Sequence, residues 1–238
     1  MLHNTKELYG AKLVAQDGDI GHVKDFYFDD KSWVIRYLIA DTGNWLAGRL
    51  VLLSPHALYK LDGVEKSLHF MLSRKQIEES PSIESHRPVS RQHEVEYYQY
   101  YGWPAYWTGG GLWGLGGFPV LVPPPKTDVI KAEGQQQHHH RDDKHLQSCH
   151  AVTGYAIHTT DGVIGEVSGF MVNEKNWAIP ELMVEAGHWY AGKEIKIPTD
   201  QITQINYDTS AVHVNLTKED IQQTAENHVT KTGDESHE

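Results

Sequence analysis

Hydrophobic positions recur with a period of two residues along several short stretches of the chain. Between Trp33 and Ala40 nearly every position is apolar, and Arg36 is the one charged residue. Residues 66–72 repeat the alternation, with Leu68 and Phe70 on one face. A period of two is typical of β-strands, and apolar residues on both faces indicate a strand in the middle of a sheet. The pattern therefore predicts an all-β fold, with the stretch from Trp33 at the centre of a small closed sheet.

Glycines mark the places where these strands turn. The dipeptides Asp17-Gly18 and Asp161-Gly162 each precede a segment rich in β-branched and aromatic residues, as the tight turn of a β-hairpin does. Gly21 and Gly165 lie inside the strand patterns that follow. Because glycine inside a strand usually marks a bulge or a sharp bend, we expect both strands to bend at these residues.

The chain contains an internal repeat. The segment DGDIGHVKDFYFDDKSW, which begins at Asp17, returns as DGVIGEVSGFMVNEKNW at Asp161, an offset of 144 residues. Without any gap, 18 of the 68 positions from 10 to 77 are identical at this offset. The matches are mostly turn glycines and large apolar residues, which a duplicated fold must keep. Two copies of one domain are predicted, with Trp33 and Trp177 in equivalent strands and equally important for stability.

Each copy ends with the signal for a short helix. Ser73 with Gln76 forms a capping-box pattern, and Thr217 with Asp220 repeats it in the second copy. We therefore expect a helix after the last strand of each copy.

The order of these residues resembles the PRC-barrel family. Both copies carry D-G-x-x-G-x-V, then Phe, then W-x-I-x-x-L, then G-x-W-x-x-G. The family is named for the barrel of the photosynthetic reaction centre H subunit, and its barrel also forms a domain of a ribosome maturation factor. The resemblance implies two small, strongly bent β-barrels of about six strands, each followed by a short helix. It also implies a stand-alone bacterial protein with two such domains that acts in binding or scaffolding.

The repeat and the resemblance together predict four segments. These are a first PRC-barrel at 5–80, a connector at 81–148, a second PRC-barrel at 149–224 and a disordered tail at 225–238.

Charge and cysteine content narrow the class of protein. The chain has 21 basic and 32 acidic residues, a formal net charge of −11, which repels a phosphate backbone and argues against direct nucleic-acid binding. Cys149 is the only cysteine, so no intramolecular disulfide or multi-thiolate zinc site can form. No signal-peptide pattern or stretch long enough to span a membrane is present in the sequence. We expect a protein of the cytoplasm.

The connector is rich in aromatic residues. The stretch 97–118 holds nine of the 24 aromatic residues of the chain, and so many exposed rings are unusual in a soluble protein. The segment therefore packs within the protein's own assembly, which includes a homodimer, or binds an unknown protein partner, or contacts a membrane surface. The candidate partner-binding residues are Tyr100, Trp103, Tyr106, Trp107 and Trp113.

The sequence gives little support for metal binding or catalysis. The run QQQHHHRDDKHLQSCH at 135–150 contains metal-ligating residue types, but its spacing matches no metal site and its composition is typical of a disordered hinge. No nucleophile elbow, phosphate-binding loop or zinc-protease motif occurs. We expect no catalytic residue, no cofactor and no physiological metal.

Taken together, these features predict a non-enzymatic interaction or scaffold protein, with a stress-related role left open. The alternative is a protein that binds a small ligand or metal through its barrel clefts and the connector.

Overall fold

The computed structural model describes residues 1–81, 89, 91–107, 112–114, 146–190 and 192–223, apart from the side chains of residues 92 and 189. Contacts divide the chain into two units. The N-terminal unit is Tyr9–Gln147, and the C-terminal unit combines Ser148–Glu238 with Met1–Leu8.

The described residues form short strands and a few short helices. In chain order they are β1 (Leu2–Asn4), α1 (Thr5–Leu8), β2 (Lys12–Ala15), β3 (Gly18–Asp29), β4 (Val34–Asp41), β5 (Leu50–Leu53), β6 (Leu58–Asp62), β7 (Ser67–Phe70), α2 (Arg74–Glu78), α3 (Arg91–Tyr101), β8 (Leu146–Ser148), α4 (Cys149–Val152), β9 (Ala156–Thr159), β10 (Gly162–Asn173), β11 (Glu181–Ala186), β12 (Glu194–Pro198), β13 (Ile202–Asn206) and β14 (Ala211–Val214). Short 3₁₀ turns occupy Pro55–Ala57, His188–Tyr190 and Thr199–Gln201, and residues 218–223 are helical.

The two units contain the same sheet. Its strand order is β5-β4-β3-β2-β7-β6 in the N-terminal unit and β12-β11-β10-β9-β14-β13 in the C-terminal unit. Neighbouring strands are antiparallel except for β2 with β7 and β9 with β14, which are parallel. The all-β prediction and the repeat of one sheet arrangement are confirmed.

Strand β4 lies at the centre of the N-terminal core. It pairs with β3 on one side and β5 on the other, and every residue from Val34 to Ala40 is buried. Both of its faces are covered, as the continuous apolar run predicted. Arg36 is the one charged residue in this stretch, and its side chain is as buried as those of its apolar neighbours, with 3% exposed.

Gly21 and Gly165 lie at the bends of the long strands β3 and β10. The pairing register shifts beside both residues, as it does at a β-bulge. A Cβ on Gly21 would overlap the carbonyl oxygen of Asp41, and one on Gly165 would overlap that of Glu185. Both glycines also have positive φ angles, +141° and +158°. The predicted bends are confirmed, and close backbone contact is the reason that glycine is needed.

Helix α2 begins with the predicted capping box. The backbone N–H of Gln76 donates to Ser73 Oγ at 3.2 Å, and the N–H of Ser73 donates to Gln76 Oε1 at 2.9 Å. The hairpin carboxylate of Asp17 accepts a further bond from the N–H of Arg74 at 2.7 Å. The turn and the helix start are therefore tied together.

The second copy begins its closing helix in the same way. The backbone N–H groups of Thr217 and Asp220 bond reciprocally to each other's side chains. Asp161 Oδ1 accepts from the N–H of Lys218 at 3.1 Å, as Asp17 does in the first copy. The predicted helix starts are confirmed in both copies.

The segments that precede each copy pair outside their own repeat. By the offset of 144, β1 belongs to the first copy and β8 to the second. In the structure β1 pairs with β10 of the C-terminal unit, and β8 pairs with β3 of the N-terminal unit. Thr5 Oγ1 then accepts from the N–H of Phe170 at 3.2 Å. Residues 5–8, expected in the first barrel domain, therefore pack in the C-terminal unit. The other expected boundaries stay predictions, and residues 225–238 lie outside the described residues.

The paired tryptophans are not in strands, contrary to the prediction. Trp33 and Trp177 lie in the turns just after β3 and β10, with φ angles of +53° and +58°. Each N–H donates to the carbonyl of the last residue of the preceding strand, Asp29 or Asn173. The strand after Trp33 begins at Val34, and the strand after Trp177 begins at Glu181. The prediction failed because a turn residue that packs on the core has the same apolar character as a strand residue.

Burial separates the two tryptophans, so we expect unequal stability costs. Trp177 is 1% exposed, whereas Trp33 is half-buried and stacks on Phe28. Replacing Trp177 with alanine is expected to lower the free energy of unfolding by about 3–5 kcal/mol, and Trp33→Ala by about 2 kcal/mol or less. Urea unfolding measures both. Equal losses would contradict the burial difference.

Substitution of the bulge glycine tests the close backbone contact. Gly21→Ala should destabilise the protein by about 3 kcal/mol, because the backbone must move away from Asp41 and the positive φ is strained. Gly63 has open space around it, so Gly63→Ala is the matched control and should change stability by less than about 1 kcal/mol. Thermal unfolding of the two variants compares them. A Gly21→Ala protein as stable as the control would disprove the steric argument.

Candidate functional site

Part of the aromatic connector packs on its own N-terminal unit. Helix α3 lies against the edge strand β5, where the hydroxyl of Tyr97 donates to the carbonyl of Leu52 at 2.9 Å. The same hydroxyl accepts from the N–H of Ser54 at 3.1 Å. Tyr97 is fully buried. One side chain thus satisfies two backbone groups that the edge of a sheet would leave unpaired.

The helix ends where the sequence requires it. Gly102 has φ +68°, its N–H donates to the carbonyl of Gln99, and the N–H of Trp103 donates to that of Tyr98 at 3.0 Å. These bonds form a Schellman motif, in which glycine takes the left-handed conformation after the last turn. Pro104 follows, and the chain leaves the helix axis.

A buried carboxylate holds the segment in place. Glu94 is 0% exposed, and its Oε1 accepts from the hydroxyls of Tyr106 at 2.7 Å and Tyr37 at 3.1 Å. Its Oε2 lies 3.0 Å from Arg91 Nη1. Burial raises the pKa of the Tyr37 and Tyr106 hydroxyls, and the negative charge of Glu94 adds to both shifts. Both hydroxyls therefore keep their protons at neutral pH and serve as donors.

Arg36 provides the positive charge beneath the segment. Its guanidinium carbon lies 3.9 Å from the ring centre of Tyr106 and 4.9 Å from that of Trp113, both within cation–π range. It donates hydrogen bonds to the carbonyl of Leu112 and to Ser32 Oγ. Burial lowers the pKa of Arg36, but an arginine keeps its proton under these conditions. A buried cation from the core strand β4 therefore positions two aromatic residues of the connector.

His56 completes the contact from the 3₁₀ turn Pro55–Ala57. Its ring centre lies 4.6 Å from that of Trp113 and 5.8 Å from that of Trp103. Burial, followed by the charge of Arg36, lowers the pKa of His56 to about 4. The imidazole is therefore neutral at physiological pH and packs as an aromatic ring.

The five candidate partner-binding residues divide into two groups. Tyr106 and Trp113 are 4% and 2% exposed, so they are packed against Arg36. Trp103 and Trp107 are half-buried, and Tyr100 is 40% exposed. We name the last three, together with Leu112 at 43% exposure, the aromatic surface.

The residues that receive the connector were not expected from the sequence. Arg36, Tyr37 and Glu94 were not predicted as parts of a site. One signal in the sequence was available, because Arg36 interrupts an apolar strand and a buried cation there requires partners.

The second copy lacks these receiving residues. At the offset of 144, Pro180 stands in place of Arg36 and Glu181 in place of Tyr37. Pro198 replaces Ser54 and has no N–H to satisfy. Edge strand β12 also alternates charged and apolar side chains, an arrangement that protects a free edge. The chemistry that holds the aromatic connector is therefore specific to the first copy.

A separate cleft lies beside the bulge of β3. It has a volume of about 500 Å³ and is lined by residues 21–24 and 41–43, including Lys24 and Asp41. Asp41 Oδ1 accepts from the N–H of Gly43 at 2.9 Å. No described connector residue lines this cleft, and the expected ligand or metal site formed by barrel clefts and connector stays a prediction.

Metal-binding residues do not cluster in the part of the chain that the structure describes. No group of three or more histidine, cysteine, aspartate or glutamate side chains is close enough to hold an ion there. Cys149 is fully buried in α4. Residues 135–145 of the histidine-rich run lie outside the described residues.

Comparison with known families identifies the first copy. Residues 3–68 match the model of the PRC-barrel domain. The chain carries a PRC-barrel domain. The family model does not cover the second copy, but the C-terminal unit repeats the sheet arrangement of the first, which supports a second domain of the same fold. No curated protein matches the chain. None of the described helices is both long and apolar enough to cross a membrane.

The low pKa of His56 makes stability depend on pH. Below pH 6.5 the unfolded chain protonates this histidine, whereas the folded protein does so only near pH 4. Stability should therefore fall as the pH drops from about 6.5 to 4, by about 3 kcal/mol from this residue. Urea unfolding at several pH values measures the slope.

Two variants isolate the contribution of His56. His56→Gln should flatten the slope between pH 6.5 and 4, and His22→Gln, at an exposed position, should leave it unchanged. If both variants keep the wild-type slope, His56 does not titrate as the packing implies.

Proposed function

We propose that this PRC-barrel protein is a non-catalytic interaction protein whose N-terminal unit presents the aromatic surface to a protein partner. The observation that carries the proposal is the division of the connector into buried anchors and exposed rings. Tyr106 and Trp113 are held by Arg36 and Glu94, and the aromatic surface is left accessible beside them.

Tryptophan and tyrosine are the residue types that dominate binding energy at protein interfaces. They bury a large area with few rotatable bonds, and each has a polar group that needs a partner. Trp107 is held under the guanidinium of Arg91 at 4.4 Å, and Tyr100 donates to the carbonyl of Gln76 at 2.9 Å. Rings that are already ordered lose less conformational entropy when a partner binds.

The anchors explain why this surface belongs to one copy only. A buried ion cluster contributes little net stability compared with apolar packing, but it favours one arrangement of the connector, because Tyr106 and Trp113 meet Glu94 and Arg36 only in this position. Arg36 and Glu94 thus position the aromatic surface rather than bind the partner. Tyr106 and Trp113, two of the five candidate residues, are assigned the same positioning role.

The cleft beside β3 supports a second candidate function. Its mixed lining of Lys24, Asp41 and backbone would suit a small polar ligand. This site would act independently of the aromatic surface, because no described connector residue lines it.

The test uses the full chain as bait for proteins of the source cell. Any captured protein is purified and titrated against wild type, Trp107→Ala and the control Tyr59→Ala, which removes a tyrosine that is 53% exposed elsewhere in the same unit. Trp107→Ala should weaken binding by about tenfold or more, as expected for an interface aromatic residue. Tyr59→Ala should bind as wild type does.

Two results would contradict the proposal. One is a partner that binds Trp107→Ala with unchanged affinity, and the other is equal loss with both variants. Light scattering of the purified chain shows whether the occupant is a second copy, in which case Trp107→Ala should dissociate the dimer.

A further inference from the structure

Two histidines of the C-terminal unit lie side by side on adjacent strands. His158 in β9 and His213 in β14 are direct partners in the parallel register, and their ring centres are 5.1 Å apart with the planes 36° from each other. In-register residues of neighbouring strands project to the same face. Both histidines are half-buried and lie between buried residues of their strands, Ile157 and Thr159 in β9 and Val212 and Val214 in β14, so both rings are on the outer face.

The imidazoles are available for ligands. Within the described residues, the aromatic ring contact of each histidine is with the other, and neither ring has a hydrogen bond or ion pair. The strands on either side place Val163 and Gln204 opposite the pair, and both are uncharged. Among the described residues, the direct cross-strand partners of the pair therefore add no positive charge that would oppose a cation.

The first copy has the same backbone without the same chemistry. At the equivalent positions Val14 pairs with His69, and Lys60 lies opposite His69 on the next strand. His69 Nε2 also lies 2.9 Å from Ser67 Oγ. One ring nitrogen there is already in a hydrogen bond, and the second ligand is missing.

We propose that His158 and His213 form a two-histidine site for a divalent transition-metal ion. Neutral imidazole is a ligand of intermediate softness that favours Cu²⁺, Ni²⁺ and Zn²⁺ over Mg²⁺ and Ca²⁺. Cu²⁺ stands highest in the affinity order for nitrogen ligands. Since two protein ligands leave the remaining coordination positions to water, the site exchanges its ion readily. No metal ligand was expected from the sequence, because only the strand register brings these two residues together.

The test follows Cu²⁺ by nuclear magnetic resonance on the full chain, in which His3 is replaced by glutamine and His138, His139 and His140 by alanine, because an N-terminal amine with histidine at the third position also binds Cu²⁺. Paramagnetic Cu²⁺ broadens the amide signals near its site, so the spectrum locates the ion. One equivalent should broaden residues 157–159 and 212–214, whereas Mg²⁺ should not. Adding His158→Gln or His213→Gln should weaken this binding by at least about tenfold, because the second ligand of a chelate binds at high effective concentration.

Matched variants keep the outcome decisive. His69→Gln should leave the broadening of 157–159 and 212–214 unchanged, and unchanged signal dispersion shows that each variant is folded. Val14→His should create a weaker second site at residues 13–15 and 68–70, near Lys60. Absence of broadening around His158, or its persistence in His158→Gln, would overturn the proposal and leave the pair as simple ring packing.

Discussion

The carboxylate of Glu94 lies in the interior of the N-terminal unit, where an unpaired charge would be costly. It is satisfied by Tyr37 from strand β4, by Tyr106 from the connector and by Arg91 from its own helix. One group thereby joins the core strand to the segment that covers it. Arg36 adds the complementary charge on the same strand. The positions of Tyr106 and Trp113 depend on these two buried charges, since a shift of the connector would remove the Tyr106 hydroxyl from Glu94 and both rings from Arg36.

The two copies share one scaffold although most of their aligned residues differ, and a few of these differences change the chemistry of each copy. Both copies keep the bulge glycine, the hairpin aspartate and the capped helix, because backbone clearance and turn geometry leave little choice there. They differ where the scaffold permits change. Arg36 and Ser54 make the first copy a receiver for the connector, whereas the second copy has proline at both equivalent positions. The second copy instead carries the histidine pair on its outer face.

The sequence by itself determined the all-β class, the duplication, the bends at Gly21 and Gly165 and the helix starts at Ser73 and Thr217. These features are local. A capping box spans four residues, and a bulge glycine is required by its own φ angle and by one close backbone contact. The repeat adds information of its own, because the residues that both copies keep are those that the shared fold requires.

Long-range contacts were decided only by the tertiary structure. In the structure Trp33 and Trp177 lie in turns and not in strands, and β1 pairs in the C-terminal unit. Tyr106 and Trp113 are buried, whereas Tyr100 is exposed. These residues have the same apolar or aromatic character whether they line a core, fill a turn or face solvent. Their roles depend on which distant backbone group or charge they meet, such as Arg36 across 70 residues or His213 beside His158. No local sequence pattern encodes these long-range contacts, because the strand register and the docking of a helix are set by the packing of the whole unit.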